Sequence, residues 1–275
     1  GLVTDSNAQL TDDLADRYGV EVVPLTVSVD GRDHLEGVDL DADRFYAEFV
    51  TRTPEVSTAQ PSPGRFAAAY AGLAERGVDR IVSIHISSAM SGTVGSATLA
   101  ARSSPVPVEI VDTETASFGV SACVWAAGDA IAAGADVDGV KTAVAAIGPR
   151  IGTCFIAGVP HLTRRGGRAD SVELGGDGIA VLAMRAGDLQ VLDRVRTVEG
   201  AAAAMGRYVA AVDETSTVAI GVADDSTRPL ADLLAAEVAG LDVVDLVCGY
   251  RIGPSVGAHT GPGTFGLFVF PTIGR

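Results

Sequence analysis

Apolar and polar residues alternate along this chain in two periods, and the change from one to the other sorts it into strands and helices. Residues 2–4 read as a strand, with Asp5 and Ser6 directly after it. Thr11 stands where a helix cap belongs, and Asp12 and Asp13 fill the first turn, where carboxylates suit the helix dipole. Residues 20–29 form a β-branched run closed by the turn pair Asp30-Gly31. Phe45, Phe49 and Val50 give residues 41–52 a helical spacing. Ser62-Pro63 opens a helix that ends at Gly77. A strand over 80–86, a helix over 93–102, a strand over 106–111 closed by Asp112, and helices over 118–133 and 137–147 follow. Strands alternating with helices predict a parallel sheet covered on both faces.

The second half has a different rhythm. Residues 152–159 read as a strand, followed by a loop rich in Gly and Arg at 164–167. Two apolar runs, 179–184 and 189–195, flank Ala186-Gly187-Asp188 and predict a hairpin. Thr197 caps an Ala-rich helix reaching residue 212. Strands over 218–223, 243–247 and 265–270 and a helix over 230–239 complete the pattern. A hairpin among βα units predicts a mixed sheet. The expected organisation is two α/β domains, 1–149 with a three-layer parallel sheet and 150–275 with a mixed sheet.

Composition narrows the function. Hydrophobic residues are 47% of the 275, enough for a sizeable core, but aromatics are only 5%, so an apolar cavity would be lined by aliphatic side chains. The formal net charge of −15 opposes nucleic acid and anionic lipid surfaces at long range. The 3 cysteines, Cys123, Cys154 and Cys248, lie far apart without metal-ligand spacing, which fits reduced thiols and a cytoplasmic setting. Charged and polar residues begin at Asp5, so no secretory leader is read. The Ala-rich stretch 122–135 contains Asp129 and glycines and reads as a packed helix, not an integral membrane segment.

Four segments could carry chemistry. Ile86-Ser87-Ser88-Ala89-Met90-Ser91-Gly92-Thr93 lies between a strand and a helix, at the edge where parallel sheets bind ligands. Its hydroxyls and the N–H groups of a helix start suit a carboxylate or phosphate; an ordinary helix cap fits the same residues. Ser57-Thr58-Ala59-Gln60-Pro61-Ser62 also precedes a helix and, taken alone, reads first as an ordinary capped helix start with Pro. Arg164, Arg165 and Arg168 on a Gly-rich loop suit anion recognition or simple solvation. In His259-Thr260-Gly261-Pro262-Gly263-Thr264-Phe265-Gly266 the glycines match a dinucleotide fingerprint by spacing, but a strand-like end follows them instead of a helix. They are expected to shape a loop that brings His259 to a site. No metal site is read, because His34, His85, His161 and His259 are scattered, and no Walker loop is present. Ser91 lacks the G-x-S-x-G elbow of a serine hydrolase.

Together these segments resemble the DegV family. The likeness runs in order through Thr4-Asp5-Ser6, Val23-Pro24-Leu25, Thr58 to Ser62, Ile86 to Thr93 with Ser96-Ala97, Val111-Asp112, Leu162 to Arg168 and His259 to Gly263. The resemblance implies two α/β domains with a long-chain fatty acid between them, its acyl chain in an apolar tunnel. It further implies a non-enzymatic binding subunit with no cofactor and no catalytic residue of its own. A separate ATP-dependent fatty-acid kinase subunit would phosphorylate the bound carboxylate, giving an acyl phosphate for phospholipid synthesis in bacteria. Carried over residue by residue, the head-group site is Thr58, Ser88, Ser91, Gly92 and His259, while Arg164, Arg168 and Arg196 would face the partner or its phosphate. The chain departs from the family pattern in three places: Ala59 replaces a Ser, Met90 a Leu, and Thr163-Arg164-Arg165 an apolar residue with lysines. Two other readings compete: a serine esterase or acyltransferase using Ser91 and His259, and a carrier of a small polar metabolite.

Overall fold

The computed structural model describes residues 1–159, 162, 177–185 and 188–274. By proximity of their Cα atoms they form two compact units, Gly1–Leu40 with Glu55–Pro149, and Asp41–Pro54 with Arg150–Ile273. The single cut read near Pro149 leaves out the excursion Asp41–Pro54, which clusters with the second unit.

The first unit opens with β1 (Leu2–Asp5), α1 (Asp12–Tyr18), β2 (Glu21–Val23), β3 (Thr26–Val29) and β4 (Arg32–Leu35). After the excursion, which carries α2 (Ala42–Ala47), it continues with β5 (Val56–Ala59), α3 (Pro63–Glu75), β6 (Ile81–His85), α4 (Thr93–Ala101), β7 (Val108–Asp112), α5 (Phe118–Ala132) and α6 (Val137–Ile147). The strands β2-β1-β6-β7 form a four-stranded sheet, parallel throughout. All of β6 is buried, which requires cover on both faces. Phe66, Tyr70, Ala97 and Ala100 of α3 and α4 cluster with Val3 and Ile81 on one side, and α5 packs on β1 and β6.

The β-branched run at 20–29 is not one strand. Pro24 supplies no N–H to a ladder, and the chain leaves the parallel sheet there. It enters a separate three-stranded antiparallel sheet, β4-β3-β5. Asp30 and Gly31 both take positive φ, 49° and 77°, as a two-residue hairpin turn requires. β5 was read as the lead-in to a helix; it is a half-exposed strand paired with β3.

The second unit contains β8 (Gly152–Ile156), β9 (Ile179–Arg185), β10 (Asp188–Val195), α7 (Val198–Ala210), β11 (Ser216–Val222), α8 (Arg228–Ala239), β12 (Val244–Arg251), α9 (Pro254–Thr260) and β13 (Phe265–Pro271). Its six strands run β10-β9-β8-β13-β11-β12, antiparallel except for β11 with β12, so the sheet is mixed. Met205 and Val209 of α7 and Leu234 and Val238 of α8 pack with Cys154, Val218 and Leu267 in its core. The excursion joins this unit because Phe45 and Tyr46 are buried on α2, where Gly257 of α9 leaves room: a Cβ there would lie 2.5 Å from Tyr46 Oη.

Candidate functional site

The parallel sheet of the first unit ends at Asp5, His85 and Asp112, and the loops that leave these strands are tied together. Asp5 Oδ1 accepts the Asn7 N–H at 3.1 Å, and Asp5 Oδ2 accepts the Ile86 N–H at 3.2 Å. The same oxygen lies 2.9 Å from His85 Nδ1. On the other side of the ring, His85 Nε2 lies 2.6 Å from Ser83 Oγ, which lies 2.9 Å from Tyr70 Oη. Tyr70, Ser83, His85 and Asp5 are all 0% exposed. Phe66 packs edge-on to the imidazole, with ring centroids 5.0 Å apart. Burial pushes the Tyr70 phenol up to about 12, with the Ser83 hydroxyl opposing it. Tyr70, Ser83, His85 and Phe66 belong to none of the sequence motifs, whereas Asp5 does. The signal was there: Ser83 and His85 are two apart in an apolar strand, so they share one buried face.

The loop from β6 to α4 holds the hydroxyl-rich motif. The Ser87 N–H donates to Thr115 O at 2.8 Å, and the Ser88 N–H is shared by both oxygens of Asp112 at 3.2 Å. Met90 and Ser91 N–H both donate to Ser87 O at 3.0 Å, closing a tight turn. Ser91 Oγ lies 2.8 Å from Thr93 Oγ1, so its partner there is a hydroxyl and not a base. Gly92 is the cap residue of α4. A Cβ at Gly92 would meet Gln60 Nε2 at 3.0 Å, which places the end of β5 beside this helix start. The structure therefore brings Thr58 on β5 and Ser88, Ser91 and Gly92 onto neighbouring segments of one unit. Thr58 and Ser91 are partly exposed, and Ser88 and Gly92 are exposed. Gln60 and Thr93, both within the quoted motifs but outside the head-group set, belong to the same neighbourhood.

His259 belongs to the second unit, in the last turn of α9, and is partly exposed. It was expected on a Gly-rich loop; the loop begins two residues later, because Pro254 starts a short helix that ends only at Thr260. Gly261 and Gly263 both have φ of 78°. A Cβ on Gly158 would fall 1.7 Å from Pro262 O, so the turn is packed directly on the chain leaving β8. A helix precedes these glycines and a strand follows, the reverse of the dinucleotide fingerprint. Arg164 and Arg168 lie outside the described residues. Arg196 is exposed just after β10.

A separate cleft of about 640 Å³ in the second unit is lined by Asp43, Tyr46, Phe49, Asp224, Arg251 and Pro262, among others, and by none of Thr58, Ser88, Ser91, Gly92 and His259. Arg251 pairs there with Asp43 and, at 3.6 Å, with Asp225. Arg228 first, and then Arg251, hold the Asp225 carboxyl below its usual range. Burial raises the thiols of Cys123, to about 12, and Cys248, to about 11. Among the described residues, no three His, Cys, Asp or Glu side chains group as a metal site, and no helix is long and apolar enough to cross a membrane.

Fold and loop together define an α/β protein of two units, with a hydroxyl-bearing loop at the carboxyl edge of a parallel sheet. The profile of the DegV family, described as "Uncharacterised protein, DegV family", matches residues 1–272. The chain belongs to the DegV family. A DegV domain-containing protein of Streptomyces coelicolor is 36% identical over 98% of this chain and 97% of its own length. One from Mycobacterium tuberculosis is 33% identical, covering 98% and 96%. Among solved structures, a DegV family protein from Thermus thermophilus, described for its fatty acid binding, has a TM-score of 0.85 at 29% identity, over 98% of this chain and 99% of that one. A DegV lipid-binding protein from Thermotoga maritima shares the fold at a TM-score of 0.88 and 24% identity, over 100% and 98%.

Proposed function

We propose that this chain binds a long-chain fatty acid, and that Thr58, Ser91 and His259, with Ser88 and Gly92, hold its carboxylate while the acyl chain lies in an apolar tunnel between the domains. The observation that carries this reading is family membership together with the Thermus thermophilus relative, described for fatty acid binding and similar along the whole chain. The chemistry of the first unit agrees with it. Hydroxyls of Ser91 and Thr93 stand at a helix start beside β5, where N–H groups and the helix dipole favour an anion. Burying an acyl chain contributes roughly 0.8 kcal/mol per CH₂. A carboxylate buried without donors would cost more than several of these groups return, so hydroxyl donors at the head are what make the chain's burial favourable.

Hydroxyls and N–H groups solvate a carboxylate without neutralising it, so it stays nucleophilic. We assign the next step to a separate ATP-dependent kinase, which transfers a phosphoryl group to the carboxylate and leaves an acyl phosphate for phospholipid synthesis in the cytoplasm. Arg164, Arg168 and Arg196 are the groups assigned to face that partner. In this reading the chain is a binding subunit and not an enzyme. Mass spectrometry of the denatured protein, purified from a bacterial host, is expected to release about one long-chain fatty acid per chain. Absence of any acid, together with no rise in melting temperature on adding palmitate, would refute the proposal. Release of a polar metabolite instead would move the chain to the carrier class.

A further inference from the structure

The buried chain of Tyr70, Ser83, His85 and Asp5 is not used by the head-group site as described, yet it ends on the backbone of the loop that carries that site. We propose that it is the positioning element of the loop, and that Asp5 is the positioning residue through which it acts. The inference rests on the fatty-acid reading above.

The hydrogen bonds have one arrangement that leaves every member satisfied. Tyr70 donates to Ser83 Oγ, Ser83 donates to His85 Nε2, and His85 Nδ1 donates to Asp5. The Ser83–His85–Asp5 order has the form of a hydrolytic triad, but Ser83 is 0% exposed and its hydroxyl is committed to Tyr70 and the ring. No substrate reaches it, so nucleophilic attack is not its role. What reaches the loop is the Asp5 carboxylate. It receives N–H groups from Asn7, Ile86 and His85, which belong to the turn after β1, the root of the β6–α4 loop and the end of β6. Asn7 carries the tie further, its Oδ1 accepting the Ser117 N–H at 2.9 Å. The loop residues Ser88 to Thr93 thus hang from one buried anion at their root and from Asp112 at Ser88. A single carboxylate with three donors fixes where Ser91 and the start of α4 stand. An amide cannot replace it, because its one oxygen accepts on one side only and its NH₂ faces a donor on the other.

Asp5→Asn tests this with two probes that share an acyl chain and differ in the head, palmitate and hexadecanol, titrated calorimetrically. Losing one charge-assisted acceptor at the loop root is expected to weaken palmitate about tenfold and hexadecanol less than about twofold. A merely structural role would weaken both in parallel; that result, or unchanged palmitate affinity in a folded variant, overturns the proposal. If Asp5→Asn does not fold, His85→Gln is read the same way, with the same two outcomes deciding. Wild-type protein that fails to bind palmitate, or that binds both probes equally, refutes the head-group reading itself and with it this inference.

Discussion

The two units fix their loops by different means. At the carboxyl edge of the parallel sheet, side chains do it: Asp5, Asn7 and Asp112 accept N–H groups from the chain around them. At the turn before β13, direct backbone packing is added to such side-chain ties: Gly158 lies against Pro262, while the Asp224 side chain accepts the Gly263 N–H at 2.6 Å and Thr264 Oγ1 donates within reach of the Thr260 and Gly261 carbonyls. Side-chain anchoring tolerates polar exposed residues in the loop it holds, which is what an anion site needs. The close backbone approach at Gly158 and the positive φ of Gly261 and Gly263 account for the glycines around this turn without a ligand.

The difference gives an order of expected effects. Gly158→Ala should be the most damaging, because its Cβ would sit 1.7 Å from a carbonyl oxygen that cannot swing away. A loss of about 4 kcal/mol or more, read by urea unfolding, is expected, at the exceptional end of single substitutions. A loss under about 1 kcal/mol would show that the turn can move away and would break the contrast. Next comes His85→Ala, which leaves Asp5 buried beside a cavity and should cost about 3–5 kcal/mol in the same assay. Thr264→Val removes a hydroxyl serving two carbonyls and the Gly158 N–H, at about 1–3 kcal/mol. The smallest effects separate true caps from apparent ones. Thr197 accepts the Gly200 N–H at 3.1 Å, so Thr197→Ala should cost about 1 kcal/mol. Ser62 occupies the same position at α3 without a side-chain bond, so Ser62→Ala should stay within about 0.5 kcal/mol. Equal losses at both would mean that cap geometry and not the hydrogen bond stabilises these helices.

Much of the fold was legible because βα alternation is written in local periods. What escaped has local reasons too. β5 alternates half-buried with exposed residues, Val56-Ser57-Thr58-Ala59, and such a strand looks like a loop when its partner β3 is out of view. α9 is seven residues long, with Pro at its start and Gly inside, so its helical period is too short to read. The excursion through α2 depends on Phe45 and Tyr46 meeting Gly257, more than 200 residues away. The site divided likewise. A strand, a run of hydroxyls, a glycine and a helix are contiguous, and sequence located them. The pairing of Asp5 with His85 spans 80 positions and left only two polar residues in an apolar strand as its trace.

The claim at the centre is that one carboxylate is held by Thr58, Ser91 and His259. Carbon-13 NMR of carboxyl-labelled palmitate bound to the protein tests it most directly. The account predicts a single bound carboxylate signal that moves in Thr58→Ala, Ser91→Ala and His259→Ala alike, and stays put in Thr98→Ala, whose hydroxyl is bonded to its own helix at Val94 O. No bound signal, or one that ignores the first three substitutions, would contradict it.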